Sequence, residues 1–107
     1  MDDNIKEHYI SIDNGANDRM AEHMEFLARV SEEAANRLLE DMMESVRSLK
    51  KFPYRNPFYN RPYLPKDKYR FMVFGKRHRL VYQIEGDSVY IDDIQDTRQN
   101  DDKNILE

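Results

Sequence analysis

Apolar and polar positions alternate in His8-Tyr9-Ile10-Ser11-Ile12, and the turn signal Asp13-Asn14-Gly15 follows, so the chain opens on a short strand. Met20, Ala21, Met24, Leu27 and Ala28 then recur at helical spacing, which predicts a helix from about Asp18 to Val30 capped by Asn17 or Asp18. Ser31 with Glu32 and Glu33 reads as the start of a second helix, its acidic side chains beside the positive end of the dipole. Ala35, Leu38, Leu39, Met42, Val46 and Leu49 continue its apolar stripe. It ends at Lys51, because Pro53 cannot continue a helix and disfavours helical geometry at Phe52. A loop rich in proline and aromatics spans Phe52 to Pro65. Three strands are predicted beyond it, Tyr69–Phe74, His78–Ile84 and Val89–Ile94, separated by turns at Gly75-Lys76-Arg77 and Gly86-Asp87.

Short connections between the last three strands favour antiparallel pairing. The expected architecture is therefore α+β: a mainly antiparallel, four-stranded twisted sheet with two N-terminal helices on one face, in the order β-α-α-β-β-β. With 107 residues the chain supports one domain, residues 1–107, with an ordered core of about 8–99 and a polar tail over 100–107 broken only by Ile105-Leu106. The absence of cysteine removes disulfides, thiolate zinc sites and a cysteine nucleophile together. Apolar runs of two or three residues predict no membrane span, and the acidic start MDDNIKEH is unlike a signal peptide, so the expected location is the cytoplasm.

Charge changes the picture. The net charge is −4, yet residues 46–79 carry eleven basic side chains against Asp67 alone, between flanks that are both acidic. Such segregation predicts a basic face suited to phosphate, where an even spread would mean only a solvated surface. Arg70, Arg79, Lys68, Lys76 and Arg77 lie on or beside adjoining strands, with Lys50 and Lys51 at the end of the long helix, a set able to grip a nucleic-acid backbone. Tyr69, Tyr82 and His78 are candidates to stack on bases, against the alternatives of core packing for the tyrosines and a plain turn position for the histidine. His78 is also the one group among these whose ordinary pKa lies near neutrality. With three glycines there is no phosphate-cradling loop. Asp92, Asp93 and Asp96 suggest a cation site, but neighbouring strand residues point to opposite faces, so no metal or other cofactor is expected.

The sequence Ala34-Ala35-Asn36-Arg37-Leu38-Leu39 through Lys50-Lys51-Phe52-Pro53, and the strands Tyr69–Phe74, His78–Ile84 and Val89–Gln99, resemble toxins of the RelE/ParE superfamily from bacterial type II toxin-antitoxin pairs. The resemblance runs from about His8 to Gln99 and ends in that superfamily's common Arg-Gln pair. It implies a cognate antitoxin as partner, whose acidic, apolar segment lies over the basic face. It also implies inhibition of growth through cleavage of messenger RNA on the ribosome, without a cofactor. In that reading Arg70, Arg79 and Arg98 contact phosphate, His78 or Tyr82 transfers protons, and Lys50, Lys51, Lys68, Lys76 and Arg77 bind the RNA. Two departures open the alternatives. Met72 stands where the RNA-cleaving branch can carry a second lysine, and no tyrosine or histidine follows Arg98. The Asp96-Thr97-Arg98-Gln99 end is closer to ParE-like members, some of which inhibit DNA gyrase without catalysis, and a detoxified homologue that only pairs with an antitoxin is the remaining possibility.

Overall fold

The computed structural model describes residues 6–98. Its elements are β1 (Tyr9–Ile12), α1 (Asn14–Ala28), α2 (Glu32–Lys51), β2 (Tyr69–Phe74), β3 (His78–Glu85) and β4 (Ser88–Asp96). The expected tail over 100–107, with Ile105-Leu106, and Gln99 of the Arg-Gln pair lie outside the described residues.

Helix α1 starts four residues earlier than its apolar stripe suggests. The cap is Asp13, whose carboxylate accepts from the Gly15 amide at 2.9 Å, and neither Asn17 nor Asp18 serves. The Asp13-Asn14-Gly15 signal is thus a helix entry as well as the end of β1. Helix α2 follows its pattern closely: the Ser31 hydroxyl accepts from the Ala34 amide at 3.1 Å, Glu32 and Glu33 occupy the first turn, and Lys50 and Lys51 occupy the last. Each charge complements its end of the dipole.

The sheet order is β1-β4-β3-β2. Strands β2, β3 and β4 form an antiparallel meander, whereas β1 pairs parallel to β4, from Tyr9 opposite Ser88 to Ile12 opposite Ile91. The sheet is therefore mixed. A parallel neighbour cannot follow through a tight turn; the two helices and the 52–68 loop carry the chain from β1 to β2 at the far edge, and the meander brings it back to β4.

Registered antiparallel partners share a face. Arg70, Met72 and Phe74 lie opposite Tyr82, Leu80 and His78, and Tyr69, Phe71 and Val73 lie opposite Gln83, Val81 and Arg79. The first set belongs to the main core, where Met20, Leu38 and Leu49 from the helices meet Phe74, Leu80, Tyr82, Val89, Ile91 and Ile94. The second face carries a smaller cluster of Tyr59, Tyr69 and Val81, flanked by Leu64 and Phe71. Loop residues Tyr59 and Leu64 thus cover part of the face the helices leave open. This loop is also hydrogen-bonded to the outer edge of β2, through Tyr59 N to Tyr69 O at 2.7 Å and Phe71 N to Pro57 O at 3.1 Å.

A bulge interrupts β4. Val81 is opposite Asp93 and Tyr82 opposite Ile91, leaving Asp92 as the extra residue. Gly75 adopts a φ of +58° in the β2–β3 turn, and a Cβ there would come within 2.9 Å of Leu38 Cδ1, so both backbone angle and space call for glycine. Among the described residues no helix is long and apolar enough to cross a membrane.

Candidate functional site

Strand alternation separates the residues that the sequence groups together. Arg79 lies on the face away from the helices, while Arg70, His78 and Tyr82 point to the helix side. The five candidate catalytic side chains therefore occupy three surroundings.

On the outer face, Arg79 is held in a chain of polar contacts. Its Nε donates to Gln95 Oε1, and its guanidinium lies 5.0 Å from the Tyr59 ring centre, with Nη2 donating to the Tyr59 hydroxyl at 3.4 Å. Gln95 Nε2 donates to Asp93 Oδ2 at 2.9 Å, and Arg19 Nη1 from α1 donates to Asp93 Oδ1, also at 2.9 Å. Both Asp93 and Gln95 are fully buried. A buried carboxylate is costly unless paired, and here Arg19 and the Ile94 amide satisfy it. Arg61 stacks 4.2 Å from the same Tyr59 ring. This face holds an arginine-tyrosine platform positioned by β3, β4 and the loop.

On the helix side, Tyr82 is fully buried, and its hydroxyl donates to Pro53 O at 2.6 Å and accepts from Asn56 Nδ2 at 3.1 Å. Burial pushes its pKa up, away from the range useful for proton transfer. Its task in the fold is to fasten the loop that follows α2. Arg70 does the same from the neighbouring strand, donating through Nη1 to Asn56 O at 2.6 Å and Tyr54 O at 3.2 Å and lying 4.0 Å from the Phe58 ring centre. Tyr69 packs in the smaller cluster. Neither Tyr69 nor Tyr82 offers a ring face to a base, a correction to their sequence assignment whose cause is burial on opposite faces of one sheet.

His78 is buried too. Its ring stacks on Phe74 at 5.5 Å and meets His23 of α1 at 5.1 Å, so it is not a free turn residue and presents no face to a base. The Nδ1 atoms of both histidines are buried without a hydrogen-bond partner. Burial holds both below their ordinary pKa; mutual proximity adds to this for His78, and the Asp96 carboxylate opposes it for both. These rings line a cavity of about 420 Å³ with Leu27, Leu38 and Phe26. At its rim Arg98 donates through Nη2 to Asp96 at 2.9 Å, and this guanidinium holds the Asp96 carboxyl down at about 2. Arg98 thus shares this cavity with His78, its guanidinium engaged by Asp96.

The nucleic-acid candidates also divide. Lys76 and Arg77 sit exposed in the β2–β3 turn, where the Arg77 carbonyl accepts from the Thr97 amide at 2.7 Å. Lys68 Nζ lies 5.4 Å from the Tyr69 ring centre. Lys50 and Lys51 stand exposed at the end of α2, in a groove of about 510 Å³ that Arg47, Phe52 and Arg55 also line. The sequence reading missed Tyr59, Gln95, Arg19 and His23, and weighed Asp93 only as a cation ligand. Only the aromatic density of the loop hinted at Tyr59, and pairwise contacts across 36 and 74 positions leave no periodic trace. Among the described residues no group of three or more histidine or acidic side chains is placed to hold a metal ion.

No match is found among curated proteins. The fold is similar to that of a chain in the solved structure of the chromosomal ParDE toxin-antitoxin system from P. aeruginosa, with a TM-score of 0.63 and 14% identity, over 85% of this chain and 97% of that one. The model of the family described as ParE toxin of the type II toxin-antitoxin system, parDE, matches residues 10–101, nearly the whole described chain. The chain belongs to the ParE toxin family.

Proposed function

We propose that this ParE-family toxin arrests growth by binding DNA gyrase rather than by cutting RNA, and that a cognate antitoxin holds it inactive. The observation that carries this reading is the dispersal of the five candidate catalytic residues. Metal-independent cleavage of a phosphodiester needs a base, an acid and cations around one phosphate. Here Arg79 lies on one face of the sheet, Tyr82 and His78 are buried on the other, and Arg70 and Arg98 are occupied by loop carbonyls and Asp96. A binding role needs no such convergence. The exposed basic side chains of the middle third suit an antitoxin segment that is acidic and apolar.

Ribosome-dependent cleavage of messenger RNA is the competing reading, favoured by the half-buried Arg79 and Arg61 that flank the buried Tyr59 ring on the outer face. The two are separated by inducing the gene without its partner, mapping messenger RNA ends, and assaying supercoiling by gyrase with purified protein. Intact messages with inhibited supercoiling are expected. New ends within translated codons and an unaffected gyrase would overturn the proposal, and the absence of growth arrest would leave only antitoxin pairing.

A further inference from the structure

The groove at the end of α2 is lined mainly by residues of that helix and the start of the loop that follows it. Arg47, Lys50 and Lys51 recur at i, i+3 and i+4, which places them together on one side of the helix. Pro53 stops the helix, and the chain turns so that Arg55 returns to the same groove, its Nη2 donating to Ser48 Oγ at 3.0 Å and its guanidinium 4.9 Å from the Phe52 ring centre. Four cations thus line one groove against two carboxylates, Glu7 and Glu44, in a chain whose net charge is −4. Arg47, Lys50 and Lys51 form no ion pair with a described residue. The helix dipole accounts for cations in the last turn but not for Arg47 or Arg55.

Exposed aromatic rings follow in the same loop. Phe52 is 42% exposed, Tyr54 62% and Phe58 41%, with the Arg70 guanidinium 5.7 Å from the Tyr54 ring centre and 4.0 Å from that of Phe58. Cations interleaved with exposed rings are what single-stranded nucleic acid engages, phosphates on the charges and bases on the ring faces. A purely acidic peptide would use the charges and leave the rings idle. We infer that the α2 end and the 52–58 loop form a binding site for single-stranded nucleic acid, independent of whether the toxin's target is gyrase.

The test uses the full chain and a fluorescein-labelled mixed-sequence DNA strand of about twelve nucleotides, followed by fluorescence anisotropy across a salt series. Lys50→Glu/Lys51→Glu is compared with Arg29→Glu/Arg37→Glu, which changes net charge equally at exposed positions away from the groove. The groove pair is expected to weaken binding at least tenfold and to reduce the salt slope by about 1.4, at ~0.7 per phosphate contact. The control pair is expected to stay within about threefold. Circular dichroism checks that each folds, and Lys50→Gln/Lys51→Gln serves should the charge reversal unfold the chain. Equal losses in both pairs, no binding by the unaltered protein at low salt, or displacement of the strand by polyglutamate as readily as by unlabelled DNA would each overturn the inference. None of these outcomes bears on gyrase inhibition, which is assayed separately.

Discussion

Replacing Tyr82 by phenylalanine removes one oxygen and nothing else, and the structure fixes what that oxygen does. The hydroxyl donates to the carbonyl of Pro53, itself fully buried, and accepts from the Asn56 side chain, which is half-buried. After the change the Pro53 carbonyl has lost its partner away from water, a cost of about 1–3 kcal/mol. The Asn56 amide can turn to solvent, adding roughly 0.5 kcal/mol. A destabilisation of about 2 kcal/mol follows, seen in urea as a lower midpoint at unchanged slope and thermally as a fall of about 8–12 °C. Growth arrest by the folded variant should persist at a temperature well below the new midpoint. A stability change under about 0.5 kcal/mol would refute this accounting, and a stable variant that no longer arrests growth would return a chemical role to the hydroxyl. Adding Asn56→Ala should cost less in the Tyr82→Phe background than alone, because the two share one contact.

Arg19→Met should destabilise the protein by about 3 kcal/mol, since it strips a fully buried Asp93 of its cation, and urea unfolding of the single variant against Arg19→Met/Asp93→Asn should show partial recovery. Gly75→Ala should cost about 1–2 kcal/mol by thermal melt, from a φ of +58° and a 2.9 Å approach to Leu38. Burial holds His23 and His78 below 6.5, so the folded state binds fewer protons than the unfolded one; stability is complete above pH 6.5 and declines as pH falls through that value. Urea midpoints at about pH 7.5 and 5.5 should differ less in His78→Phe than in the unaltered chain. Asp96, held at about 2 by Arg98, contributes stability that is present above about pH 4 and lost as pH falls towards 2. Linkage bounds that contribution at about 2.5 kcal/mol, and with Arg98 more than half exposed about 1 kcal/mol is expected, to be read from acid unfolding of Asp96→Asn.

Local chemistry in the sequence determined the elements. The Ser31 cap, the i, i+3, i+4 stripe of α2 and the stop at Pro53 act within a few residues of one another, and α2 runs from Glu32 to Lys51 as those signals require. The β2-β3-β4 meander was equally legible, because its turns are too short to permit any other pairing. The parallel pairing of β1 with β4 was not, since the partner of an isolated strand is chosen by the packing of everything between them. The same holds for the start of α1, where Asp13 ends a strand and caps a helix at once. Charge segregation marked the basic third, and the exposed cluster at Lys50 and Lys51 follows from it. Composition could not show that Tyr82, Arg70 and Arg79 would be spent on Pro53, Asn56, Gln95 and Tyr59, because those partners lie 14 to 29 positions distant and on whichever face strand alternation selects. Patterns with a period survive in one dimension, whereas a buried polar group finds its partner only when the sheet brings distant side chains together.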